Sequence, residues 1–130
     1  MKRSPLLHAE LSQVIASMGH GDMLVLGDAG LPIPAGPRRI DLAVARGVPQ
    51  LVDVLDAVLS ELQVEGIVVA EEALDAGKGL PGWYPQALGI APRTVSHEEF
   101  KHRSAQARAI VRTGECTPYA NIILIAGVAF

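Results

Sequence analysis

A chain of 130 residues that is 49% hydrophobic but only 4% aromatic carries enough Val, Leu, Ile and Ala for one buried core. Its formal net charge of −3, with Lys and Arg dispersed along the chain, leaves no electrostatic footprint for nucleic acid or an anionic membrane. The single cysteine, Cys116, excludes an internal disulfide, and no apolar run reaches the roughly 20 residues of a membrane span.

Residues 6–18 place Leu7, Leu11, Val14, Ile15 and Met18 on one helical face, and Gly19 is positioned to end that helix as a left-handed cap. Lys2, Arg3, His8 and Glu10 interrupt any early apolar run, so no signal peptide is predicted and the expected address is the cytoplasm. The stretch GHGDMLVLGDAGLPIP (19–34) follows. Its apolar run, Met23 to Leu26, reads as a core strand bracketed by His20 and Asp28 and stopped by Gly30, Pro32 and Pro34. RRIDLAV (38–44) alternates as a second strand. Pro49 suits the first turn of a helix that carries Leu51, Val54, Leu55, Val58, Leu59 and Leu62 towards the core. VEGIVVA (64–70) is a third strand, and Glu71 and Glu72 read as exposed charges at its end.

Residues 75–92 hold four glycines and three prolines around Trp83 and Tyr84, which predicts a surface loop and the least constrained part of the fold. Ser96 with Glu99 forms a capping box, so a short helix is expected from His97 towards Ala107. Two strands close the chain, around Ala109 to Arg112 and Asn121 to Gly127. The order is that of an α/β fold: a single compact domain over 1–130, with a mixed central β-sheet flanked by helices. The apolar terminus IILIAGVAF (122–130) is expected to be covered by this subunit or by a neighbour.

Motifs for several chemistries are missing from the sequence. No GxGxxG opens a helix after a strand, no GxxxxGK[ST] occurs, and there is neither HExxH nor a cysteine pair. His97 and His102 are five apart, which does not put them on one helix face, and His8 and His102 read as helix-surface residues. Cys116 shows no local sign of activation and reads as a packing residue.

What remains is a set of polar side chains at element boundaries. An imidazole at His20 and a carboxylate at Asp28, if both face one cleft, suit proton transfer on a small polyol. The plainer reading puts His20 in a turn and Asp28 at a strand end, and spacing alone favours it. His97 at a helix start has the same two readings, ligand or solvent-exposed first-turn residue. Tyr119 and Asn121 supply a hydroxyl and an amide suited to fixing a polyol, or mark an ordinary junction between loop and strand.

Taken together, GHGDMLVLGDAGLPIP, RIDLAV, VEGIVVAEE, SHEEFK and RTGECTPYANIIL resemble, in that order, the D-ribose pyranase and L-fucose mutarotase family. DAGLPIP and PYANIIL are similar to its ribose branch. The resemblance implies interconversion of β-D-ribopyranose and β-D-ribofuranose without cofactor or metal. It implies His20 as proton donor, with Asp28, His97, Tyr119, Ala120 and Asn121 binding the sugar and Lys101 reaching a neighbour's site. It further implies a ring-like homodecamer of two stacked pentamers, with sites between adjacent subunits and no nucleic-acid or membrane partner. Two alternatives stay open at this point: a mutarotase for another aldose such as L-fucose, and a non-catalytic sugar-binding subunit.

Overall fold

The apolar periodicity resolves into three helices and six strands in the computed structural model, which describes residues 1–74 and 79–130. In chain order these are α1 (Ala9–Ser17), β1 (Met23–Gly27), β2 (Arg38–Asp41), α2 (Leu51–Leu59), β3 (Val64–Ala70), β4 (Arg93–Val95), α3 (His97–Ser104), β5 (Ala109–Arg112) and β6 (Ile122–Ala126). They form one sheet in the order β2-β5-β1-β6-β3-β4. Of these strands β6 runs antiparallel to both neighbours, β1 and β3, and the other five are mutually parallel.

Alternating side chains of each strand serve the two faces of the sheet. Leu24, Leu26, Ile67, Val69, Ile122 and Leu124 join Leu11 and Val14 of α1 and Leu51, Leu55 and Val58 of α2 in the larger core. Val25, Val68, Ile110 and Ile123 join Phe100 of α3 in a smaller one on the opposite face. Central strands that are apolar on both sides are what a sheet covered by helices on both faces demands. No helix among the described residues is long and apolar enough to cross a membrane.

Several local expectations need correction. α1 begins at Ala9, later than predicted, because the His8 ring caps it: its Nδ1 accepts the Leu11 N–H at 3.1 Å. Leu7 lies outside the helix and is exposed. The left-handed residue after α1 is Gly21 (φ 84°), whereas the Gly19 N–H donates to the Asp22 carboxylate at 2.9 Å. β2 stops at Asp41, since its carboxylate turns back to accept the Ala43 N–H at 3.0 Å. Pro49 precedes the helix rather than opening it; Gln50 is the N-cap, and the Asp53 carboxylate accepts its N–H at 3.3 Å. α3 ends at Ser104, short of Ala107.

Residues 75–78 of the predicted loop lie outside the described residues. The remainder is better anchored than its composition suggests: Tyr84 is buried, its hydroxyl donates to the Ile90 carbonyl at 2.6 Å, and burial raises its pKa. The loop leads into β4, a strand the sequence reading did not contain. Of the predicted terminus, Ile122–Ala126 occupies the middle of the sheet, while Val128 and Phe130 remain exposed.

Candidate functional site

Parallel strands bring their carboxyl ends to one edge of the sheet, and the single antiparallel strand brings its amino end to the same edge. Loops at such an edge are the usual place for a ligand in an open α/β sheet. Here Asp28 follows β1, Glu71 and Glu72 follow β3, His97 follows β4, and Tyr119, Ala120 and Asn121 precede β6.

These residues are tied together by specific contacts. Asn121 is fully buried, and its Oδ1 accepts the Asp28 N–H at 2.8 Å. The Asp28 carboxylate in turn accepts the Gly30 N–H at 2.9 Å, which shapes the turn after β1. Gly27 makes this approach possible: a Cβ there would stand 2.5 Å from a Leu31 methyl and 3.0 Å from the Asn121 oxygen. Arg112, at the end of β5, reaches the Asp41 carboxylate through Nε at 3.0 Å and Nη2 at 2.8 Å. Its Nη1 also donates to the Ala29 carbonyl at 3.4 Å, bracing the same turn from the neighbouring strand. The Arg112 hydrogen bonds hold the Asp41 pKa below its ordinary value.

Tyr119 has φ 61°, a left-handed conformation uncommon for a bulky side chain and characteristic of strained functional loops. That backbone turn sets its ring edge-on against His97, with centroids 5.1 Å apart. Ala120 is buried beneath it. His97 itself opens α3, whose N-cap Ser96 accepts the Glu99 N–H through Oγ at 3.1 Å. The His97 N–H donates to both oxygens of the Glu72 carboxylate at 3.0 Å, so Glu72 fastens the start of α3 to the end of β3. Lys101 lies one turn along α3 from His97 and pairs with Glu98 at 2.7 Å.

Two buried side-chain atoms in this cluster, His97 Nδ1 and Asn121 Nδ2, have no hydrogen-bond partner among the described residues. Leaving such atoms unpaired costs about 1–3 kcal/mol each, so a site that gathers two of them is suited to a ligand rich in hydroxyl groups. Among the described residues, no three His, Cys, Asp or Glu side chains gather in a way that could hold a metal ion.

His20 stands apart from this cluster within one chain. It precedes β1 whereas Asp28 follows it, so roughly 15 Å of extended strand separates the two ends. At its own end of the sheet His20 Nε2 lies 2.9 and 3.0 Å from the two oxygens of Glu65. The structure thus brings together Asp28, His97, Tyr119, Ala120 and Asn121, and leaves His20 at the opposite edge. Glu65 and Glu72 were not singled out from the sequence as partners. Glu72 carried a usable signal, because a carboxylate just after a core strand can cap a helix start at the same sheet edge; Glu65 carried none.

Comparison with known proteins adds a second line of observation. The model of the RbsD / FucU transport protein family matches residues 1–129. A D-ribose pyranase of Paracidovorax citrulli is 66% identical over the whole of both chains, and one of Symbiobacterium thermophilum is 56% identical over the same extent. Among solved structures, Bacillus subtilis RbsD complexed with D-ribose superimposes with a TM-score of 0.88 at 39% identity, covering all of both chains. The fucose mutarotase of Streptococcus pneumoniae in complex with L-fucose gives 0.82 at 29% identity, again over all of both chains.

Proposed function

The chain belongs to the RbsD / FucU transport protein family, and from that premise we propose that it interconverts the pyranose and furanose forms of D-ribose as an isomerase. The observation that carries this reading is the polar cluster at the carboxyl edge, with unpaired His97 Nδ1 and Asn121 Nδ2 beside the Asp28 turn and Tyr119. A pentose offers hydroxyl groups that both donate and accept, which is what those atoms lack.

Opening a cyclic hemiacetal requires one proton on the ring oxygen and the loss of one from the anomeric hydroxyl. The bond between C1 and the ring oxygen breaks and an aldehyde forms. Rotation about a carbon–carbon bond then presents the C4 hydroxyl to C1, and the two proton transfers reverse as the five-membered ring closes. No carbon–hydrogen bond breaks and no electrons leave the sugar, so neither a metal nor a hydride carrier is needed. Positioned acid and base groups contribute about 10²–10⁴-fold, a useful gain on a reaction that already proceeds in water.

His20 delivers the proton to the ring oxygen, and Asp28, His97, Tyr119, Ala120 and Asn121 hold the sugar. Because β1 separates His20 from the others, the complete site forms between two copies, His20 coming from one and the carboxyl-edge cluster from the next. A ring-like homodecamer of two stacked pentamers satisfies that requirement, and Lys101 extends from α3 towards the shared boundary. The whole of 1–130 acts as one ribose pyranase-like unit in the cytoplasm. The exposed Val128 and Phe130 support an assembled state, since they offer apolar surface to a neighbour.

Exchange spectroscopy by NMR tests the reading. Catalytic amounts of protein are expected to speed pyranose–furanose exchange of D-ribose, and His20→Ala to return it to the buffer rate. Anomer exchange of L-fucose alone would assign the chain to the other branch of the family. A wild-type protein that binds ribose without accelerating exchange would make it a sugar-binding subunit.

A further inference from the structure

The pair at the amino edge of the sheet, His20 and Glu65, is not explained by sugar binding at the carboxyl edge of the same chain. We propose that Glu65 is the positioning residue for His20: its carboxylate fixes the imidazole ring and makes Nδ1 the nitrogen that trades a proton with the sugar. The inference rests on the reading of His20 as proton donor.

The geometry supports it from both sides of the pair. An ionised carboxylate only accepts hydrogen bonds, and both Glu65 oxygens lie on His20 Nε2, at 2.9 and 3.0 Å. Nε2 therefore carries a hydrogen whether the ring is neutral or protonated. In the neutral ring the lone pair falls to Nδ1, the one nitrogen left to accept a proton and, once protonated, to give it up. Delivery to the ring oxygen and recovery on reclosure then use the same atom, and the protons balance over the cycle.

Glu65 reaches this position through an irregularity in the sheet. Val64 pairs with Ala126 and Gly66 with Ile125, so two steps of β3 oppose one step of β6 and Glu65 is the extra residue. Such bulges re-aim a side chain and recur beside active sites. Gly127 leaves room for it, since a Cβ there would stand 3.0 Å from the Glu65 Cβ. The His20 turn is fixed to the same place: the Gly21 N–H donates to the Ala126 carbonyl at 2.8 Å. An ion pair with side chains 62% and 46% exposed adds little to stability, so a bulge built to deliver one has its use elsewhere.

The test measures ribose exchange as a function of ribose concentration in the assembled protein, together with the ¹⁵N shifts of His20. In Glu65→Ala, kcat is expected to fall about tenfold or more while KM stays within about twofold, the pattern of a lost transition-state interaction. The Gln carbonyl oxygen in Glu65→Gln still accepts the Nε2 hydrogen, so that variant should retain more activity than Glu65→Ala. The neutral ring should carry its hydrogen on Nε2 in the parent and populate both tautomers in Glu65→Ala. Parent-like kcat in Glu65→Ala overturns the role of Glu65, as does an unchanged tautomer or a loss seen only where the assembly falls apart. Should Glu65→Ala fail to fold, Glu65→Leu, which keeps bulk at the bulge but offers no acceptor to Nε2, takes its place, and a parent-like kcat and tautomer there overturn the proposal equally. His20→Ala is the control: if it matches the parent, the reading of His20 fails, and the two failures are told apart.

Discussion

Gly27 shows how one hydrogen atom sets the geometry of the proposed sugar-binding edge. It ends β1 buried, where Leu31 folds back over the turn and the Asn121 side chain arrives from just before β6. A methyl group there meets Leu31 at Cβ, 2.9 Å away, as well as at the more adaptable methyl, so the 28–31 turn has to move. Gly27→Ala is expected to cost about 1–3 kcal/mol, the usual range for an overpacked core, and to shift the urea midpoint down accordingly. The same displacement pulls the Asp28 N–H from Asn121 Oδ1, so KM for ribose should rise. Unchanged stability together with unchanged KM would show that the turn adapts freely. Tyr119 makes a complementary point: its left-handed backbone is kept where the ring can stand against His97, and strain persists where the surroundings hold it.

Between elements, Glu115 does a similar job with a charge. Its Oε1 accepts the Leu51 N–H at the start of α2 at 3.1 Å, its Oε2 accepts the Thr117 hydroxyl at 2.9 Å, and its carbonyl accepts the Ala29 N–H at 2.8 Å. Helix, strand-joining loop and site turn thus meet on one residue. Burial pushes the carboxyl pKa up, but the hydrogen bonds from Leu51, Thr117 and Cys116 outweigh it and hold the pKa below 4.5. A carboxylate depressed on folding stabilises the protein fully above its unfolded value, and that contribution fades as pH falls through the lowered folded one. Parent protein should therefore exceed Glu115→Gln in stability at about pH 7 and lose that margin towards about pH 3. Urea titrations at the two pH values check it, and a constant margin would assign the Glu115 contacts no pH-dependent share.

Elements of this kind also show what a sequence can carry. β3 and β5 run where predicted, Val64–Ala70 and Ala109–Arg112, because a continuous apolar run bounded by polar residues has few other solutions in a buried sheet. Ser96 and Glu99 marked the start of α3 through local hydrogen-bond chemistry alone. β4 escaped because Arg93 and Thr94 are exposed on an edge strand, so three residues present no period. The site was legible as residue types and through family resemblance, but its arrangement was not. Asp28 meets Asn121, and His20 meets Glu65, across 93 and 45 residues of chain, and only strand order decides such meetings.

At the scale of the whole molecule, that strand order puts the proposed proton donor, His20, and the proposed sugar-binding cluster at opposite edges of one sheet. An active site that needs both must join two copies head to tail, and a head-to-tail contact closes into a ring when its rotation permits. This arrangement predicts complementation between two dead proteins. Take His20→Ala chains, which keep the carboxyl-edge cluster, and His97→Ala chains, which keep the donor. Each alone should fail to accelerate ribose exchange. Unfolded together in equal amounts and reassembled, they regenerate a complete site wherever a His97→Ala chain lends its His20 to a His20→Ala neighbour. Random order in a ring makes that roughly one site in four, so activity should return to about a quarter of the parent value. Recovery near zero in a properly assembled mixture would mean that each site draws both groups from one chain, which the length of β1 forbids without rearranging the sheet.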